Sequence, residues 1–256
     1  PNKRTRFIKS LIITSAIIIT RNVSAVKLQK TLYLQQGERN CRLMAARNIL
    51  LSLIAAVLQV SCGVKNFVPE DGDLLFCIAG TSEMSGAISS ATAREDSLSF
   101  DHVAIFSRMD GRPTVIEASA KKGAVVRTSL EEFLSGQAAV GGKPGVVVMR
   151  INGSFDSAAA VRRAESMLGL PYDWAYLPSN GRLYCSELVY ESYIDSLGRH
   201  IFPAKPMNFR SPDGTLPQFW QGLFSRLGIP VPEGLPGTNP NDLSKADCLI
   251  EVFRYF

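Results

Sequence analysis

Downstream of Pro69 the apolar positions fall into short runs divided by turn residues, with helically spaced stretches between them. Runs bounded by Gly, Asn, Asp or Pro read as strands. "EDGDLLFCI" (Glu70–Ile78) is a turn leading into a strand, "SEMSGAISSATA" is a weak helix, and the polar stretch 94–99 is a loop. "HVAIFSRMDGRPTVIEA" holds two apolar-rich runs around Asp110-Gly111, a hairpin signal. "GAVVRTS" and "GVVVMRI" are further strands. Helices are expected at "SLEEFLSG", with Ser129 as N-cap and Gly136 as stop, and at "DSAAAVRRAESMLG", between Asp156 and Gly169. A helix from Cys185 to Leu197 follows an Asn180-Gly181 turn and ends at Gly198. On it Glu187, Glu191 and Asp195 form a solvent stripe, and Leu188, Val189, Tyr193, Ile194 and Leu197 the buried side. A Pro-rich stretch then encloses a helix, "QFWQGLFSRLG", and Leu249–Tyr255 is a closing strand. Interleaved strands and helices without a repeat predict one α+β domain over residues 63–256.

The pattern changes upstream. From Met44, "MAARNILLSLIAAVLQVSCG" has Arg47, then an apolar stretch from Ile49 to Val60, then small residues. That is the form of a secretory signal, and the stretch is too short for a comfortable membrane span. Residues 44–62 are therefore expected to be a signal peptide. Ser61-Cys62-Gly63 has the form of a lipoprotein cleavage site, which makes Cys62 a candidate for acylation and membrane anchoring; plain secretion is the other reading. Residues 1–43 contain a second apolar stretch, "LIITSAIIIT", and nine Lys/Arg against one acid. They read as a basic upstream extension outside the mature protein, the alternative being an N-terminal anchor with two apolar stretches. The formal charge of +5 is misleading, because +8 on residues 1–43 leaves −3 on the rest. The body has no basic footprint, so nucleic acid is not expected as a partner.

Of the five cysteines, Cys41 and Cys62 fall in the leader. Cys77, Cys185 and Cys248 are at no zinc-like spacing, so neither a metal site nor a disulfide framework is expected, and an unpaired cysteine in an exported domain flags a reactive thiol. Cys185 opens its helix, and a helix N-terminus favours thiolate; simple burial is the competing explanation, since free cysteines pack well. A cysteine nucleophile needs a base. Of the two histidines, His200 sits in a Pro-flanked loop and His102 begins a strand, the stiffer platform. With Asp110-Gly111 as a two-residue turn, Met109 faces Arg112 and Glu117 falls opposite Ala104. His102 shares the Ala104 face, which places Glu117 diagonally across at roughly 7–8 Å, within side-chain reach. A carboxylate there can orient an imidazole and stabilise its protonated form. Its alternative role is to mark the solvent face of the strand.

"DGDLLF", "FDHVAIF", "VIEAS" and "GLPYDWAY…LYCSELVYESY", in that order, resemble the permuted NlpC-like cysteine peptidases of the YiiX/YebB type. These are papain-fold relatives in which the histidine strand precedes the cysteine helix. The resemblance covers about Pro69 to Gly198. It implies a circularly permuted papain-like fold: an antiparallel sheet or partial barrel packed against helices, with the nucleophile at a helix N-terminus. It also implies Cys185 as nucleophile, His102 as base, Glu117 as the acidic third member, and no cofactor or metal. Cys77 stands where a polar residue is expected. Tyr172 and Tyr184 are candidates for a cleft wall or an oxyanion donor beside the Cys185 backbone N–H. The expected activity is hydrolysis of amide or ester bonds in cell-envelope substrates, either murein peptides or lipid-like acyl groups, through a thioacyl intermediate. An acyltransferase with the same residues, or a non-catalytic peptide- or lipid-binding module, are the alternatives. Nothing in the sequence bears on oligomeric state.

Overall fold

A computed structural model describes residues 67–93 and 98–256. The expected extension, signal peptide and lipidation candidate Cys62 lie outside the described residues. Among those described, no helix is long and apolar enough to cross a membrane.

Six strands make the main sheet: β1 (Leu74–Ile78), β2 (Phe100–Met109), β3 (Arg112–Ser119), β4 (Ala124–Ser129), β7 (Val146–Ile151) and β10 (Leu249–Arg254). Their order is β10-β7-β1-β2-β3-β4 and every neighbour is antiparallel. The β2–β3 register is the one the turn dictates, with Met109 opposite Arg112 and Ile105 opposite Ile116. Asp110 and Gly111 both have positive φ, 52° and 75°, as a two-residue hairpin turn matching the strand twist requires. Short pairs β5 (Ala139–Val140) with β6 (Lys143–Pro144), and β8 (Lys205–Pro206) with β9 (Pro236–Gly237), sit outside the sheet.

Six helices are described: α1 (Glu83–Thr92), α2 (Leu130–Ser135), α3 (Ser157–Ser166), α4 (Cys185–Ser192), α5 (Gln218–Leu227) and α6 (Pro240–Leu243). Strand alternation gives the sheet two apolar faces. Leu74, Phe76, Val103, Ile105 and Ile116 join residues from α1, α3, α4 and α5 in the larger core. Leu75, Ala104, Phe106 and Val115 face Phe133 of α2 and the last strand in a smaller one. The sheet is thus covered on both sides. Ser129 caps α2 by accepting from the Glu132 N–H, and Asp156 caps α3 by accepting from Ala159 N–H, both as expected. Helix α3 stops at Ser166, ahead of Gly169, whose φ of +87° turns the chain back toward β4.

Helix α4 is shorter than its sequence suggests. It ends at Ser192, and Leu197, expected on the buried side, is 74% exposed. Asp195 explains the early stop: its carboxylate accepts from the Leu197 and Arg199 N–H groups and stabilises a turn in place of helix.

The edge of β4 anchors the segment that leads into α4. Val125 exchanges backbone bonds with residues 169–170, and Tyr172 N–H donates to Gly123 O. Leu183 N–H then donates to Pro171 O, and Asp173 N–H to Leu183 O. Backbone bonds therefore run without a break from the sheet edge to the residue two positions before Cys185.

Candidate active site

Cys185 opens α4 and is 6% exposed. The preceding residue, Tyr184, makes no side-chain capping bond, so the cap leaves the first N–H groups of the helix untaken. Helix α4 packs on β2 and β3. There His102 Nε2 lies 2.7 Å from Glu117 Oε2. The register shift at Cys77/Ile78 falls beside His102, and such bulges re-aim neighbouring side chains. The Cys185 thiol lies near enough to influence the His102 imidazole, and with Nε2 on Glu117 the ring nitrogen left for the sulfur is Nδ1. Burial acts to lower the pKa of His102, but the bonds to Cys185 and Glu117 outweigh it and hold the imidazole well above the usual histidine value. Burial acts to raise the Glu117 carboxyl, yet its hydrogen bond to His102 brings it below the usual range. Both shifts favour a protonated imidazole next to an ionised carboxylate.

The thiol lies where two hollows meet. One is a wider, open cleft of mixed polarity that includes His102, Glu117, Lys121, Lys122 and Glu132. The other is a narrower, mostly apolar hollow walled by Tyr172, Tyr176, Tyr184, Met207, Phe209 and Trp220. Cys185, Tyr172, Asp101 and Ile88 border both.

Tyr172 and Tyr184 are therefore walls of the apolar hollow. Their hydroxyls are engaged within the protein: Tyr172 with Tyr176 at 3.5 Å, and Tyr184 accepting from Thr238 N–H at 3.1 Å. His200 is elsewhere, stacked on Tyr190 and bonded through Nδ1 to Tyr190 O. Cys77 pairs with His102 across β1 and β2 and is fully buried; burial, then the nearby Asp101 and Glu117 carboxylates, push its thiol well up. It is packing, not a second nucleophile.

Glu187 departs from expectation. It is not on a solvent stripe but 92% buried, the complement of its 8% exposure. It stands at the third helical position beside the Tyr184 backbone N–H, and its Oε2 has no partner. Burial, aided by Asp173, pushes its pKa up to about 8. The aromatic wall drawn from Tyr176, Phe209 and Trp220 was not legible in the sequence, because no periodicity links those positions.

A helix-borne thiol facing a histidine–carboxylate pair on an antiparallel sheet, with the histidine strand first in the chain, is the arrangement of a permuted papain-like protein. The model of the permuted papain-like amidase family YaeF/YiiX, C92, matches residues 68–253, and the chain belongs to that family. It is 29% identical over 214 residues to the uncharacterized protein YiiX of Escherichia coli strain K12, covering 82% of this chain and 96% of that one. The crystal structure of YiiX from Escherichia coli O157:H7 superposes with a TM-score of 0.58 at 26% identity, covering 73% of this chain and 98% of that one. That relative is described as a metalloprotein. Among the described residues here, no three His, Cys, Asp or Glu side chains are grouped to hold a metal ion. The described residues therefore offer no three-ligand set for a resident metal.

Proposed function

We propose that this protein is an exported cysteine hydrolase of the cell envelope that cleaves amide or ester bonds through Cys185, His102 and Glu117. The family is one of amidases. The observation that carries the assignment of residues is the 2.7 Å bond from His102 Nε2 to Glu117, which leaves Nδ1 for the sulfur. His102 takes the thiol proton, giving a thiolate–imidazolium pair that Glu117 stabilises. The thiolate attacks the acyl carbon. The negative charge that develops on the acyl oxygen is met by backbone N–H groups at the α4 start, where the helix dipole also favours it. The C–N or C–O bond breaks, and the departing amine or alcohol takes the proton from His102. Water, deprotonated by His102, then attacks the thioester and releases a carboxylic acid and the thiol.

A small thiol-directed alkylating agent tests the pair. We expect Cys185→Ala to abolish both labelling at this site and turnover of envelope extracts. His102→Ala should slow labelling at neutral pH by about tenfold or more, since general-base assistance contributes at least ~10²-fold in such pairs. Labelling of Cys185 that is indifferent to His102 would instead favour a binding module.

A further inference from the structure

We infer that α4 carries, away from its thiol, a binding site for a small primary ammonium ion, seated between Glu187 and Glu191 and against the stacked rings of Tyr190 and His200. A third hollow lies there, walled by Tyr184, Glu187, Tyr190, Glu191, His200 and Thr238. It includes none of Cys185, His102 and Glu117, and shares only Tyr184, Gly237 and Thr238 with the apolar hollow. No Lys or Arg stands among the described residues that line it, so two carboxyls border one void without a cation of the protein in its wall. Glu187 is more than nine-tenths buried, and its Oε2 has no hydrogen-bond partner. A buried carboxyl in that condition is costly, and a guest that carries positive charge and donates hydrogen bonds relieves the cost. Thr238 Oγ1, also without a partner, is a further acceptor at the same wall. None of this requires Cys185 to be a nucleophile.

The rings supply the rest of the recognition. Tyr190 and His200 stack with centroids 3.8 Å apart, and His200 Nδ1 bonds Tyr190 O at 2.9 Å, so the two rings are held as one flat wall. Aromatic faces attract ammonium ions. A metal ion is the poorer occupant, because Glu187, Glu191 and His200 line the hollow without converging as a three-ligand set. An ammonium group divides its three N–H donors among dispersed acceptors and needs no fixed coordination. Occupancy is linked to a proton. Burial first, then the Asp173 and Glu191 carboxylates, push Glu187 up to about 8. The ammonium ion binds the ionised carboxyl, so its affinity rises with pH to about 8 and levels off above, and binding lowers the midpoint at which Glu187 titrates. The titratable groups around Glu187 are Asp173 and Tyr184 on the incoming segment, Tyr190 and Glu191 on α4, and His200 beyond it.

The test follows the Glu187 carboxyl carbon by NMR in the full chain, its resonance assigned by its loss in Glu187→Gln. Ethylammonium chloride is titrated at pH 6.5 and at pH 8, with sodium chloride and ethanol at equal concentrations as controls. We expect affinity about tenfold higher at pH 8, since the ionised fraction rises roughly tenfold per unit below the midpoint. Saturating ethylammonium should lower the Glu187 midpoint by about one unit or more, and sodium should not. Read from the Tyr190 ring signals, Glu187→Gln should weaken binding at pH 8 by about tenfold or more and remove its pH dependence. Glu191→Gln, at the more exposed carboxyl, should weaken binding with Glu187 in place, and His200→Gln should keep the pH dependence. An effect of ethylammonium on Glu187 no larger than that of sodium overturns the inference. So does affinity that neither glutamate substitution changes, equal binding of ethanol, or tighter binding of zinc or calcium ion. A pH dependence that vanishes in His200→Gln assigns the proton to His200 and overturns it as well.

Discussion

Glu187 shows what a single carboxyl does when a helix start is buried. It sits beside the Tyr184 N–H in the turn that carries Cys185, and its Oε2 is left without a partner. With a folded pKa of about 8 against 4.5 for the free group, the folded chain holds more protons than the unfolded one between those values. Stability therefore falls as pH rises through that window and levels off above it. Glu187→Gln keeps the shape and an acceptor oxygen and removes the titration. In urea denaturation, the wild type should lose on the order of 4 kcal/mol relative to Glu187→Gln between pH 5 and pH 9. A difference that stays constant with pH would show that the carboxyl is solvated. At this scale the His102–Glu117 pair was legible because one turn, Asp110-Gly111, fixes the parity of both strands. The burial of Glu187 was not, because a charge spaced at i, i+4 with Glu191 fits a wet face equally well. Only the loop that covers it, with buried Asp173, decides otherwise.

Among the elements, the connection from β4 to α4 bears most on the site and was least visible in advance. It carries Tyr172, Asp173 and Tyr176, and its order comes from side chain to backbone bonds that no hydrophobic period announces. Asp173 is the hinge of that order, wholly buried and accepting from two N–H groups. Asp173→Ala leaves both donors without a partner, at a cost of about 2 kcal/mol or more. It also releases Tyr176 from its left-handed conformation, which opens the aromatic cavity. The expected outcome is a lower midpoint in denaturant together with an altered rate of Cys185 labelling by the small alkylating agent. Weakened stability with an unchanged labelling rate would show that Asp173 does not shape the surroundings of the thiol. The main strands and the α2 and α3 caps were readable because Ser129 and Asp156 stand directly before helical spacing. The early end of α4 was not, since Asp195 reads as a helix surface residue until its turn with Arg199 is seen.

At the scale of the molecule, the site depends on chain order. The β1–β3 strands that carry His102 and Glu117 precede the cysteine helix, and the β4 edge then ties the returning chain in place. The order of the motifs made this arrangement legible, whereas the pairing of β7 and β10 at the far side of the sheet has no local signal. The same whole-chain view separates a basic leader, net +8 over residues 1–43, from a body of net −3. On the proposed envelope reading, an anchor at Cys62 would hold the hydrolase at a membrane surface. An acidic body gains nothing from an anionic membrane, so membrane association would depend on the anchor alone. Expression in a bacterial host from Met44 should therefore yield a membrane-associated product beginning at or near Cys62. Mass spectrometry of its first peptide should detect an added acyl mass, and Cys62→Ser should release the protein from the membrane fraction. A cytosolic product that retains Met44 would show that the segment 44–62 is not an export signal and would take the hydrolase away from the envelope altogether.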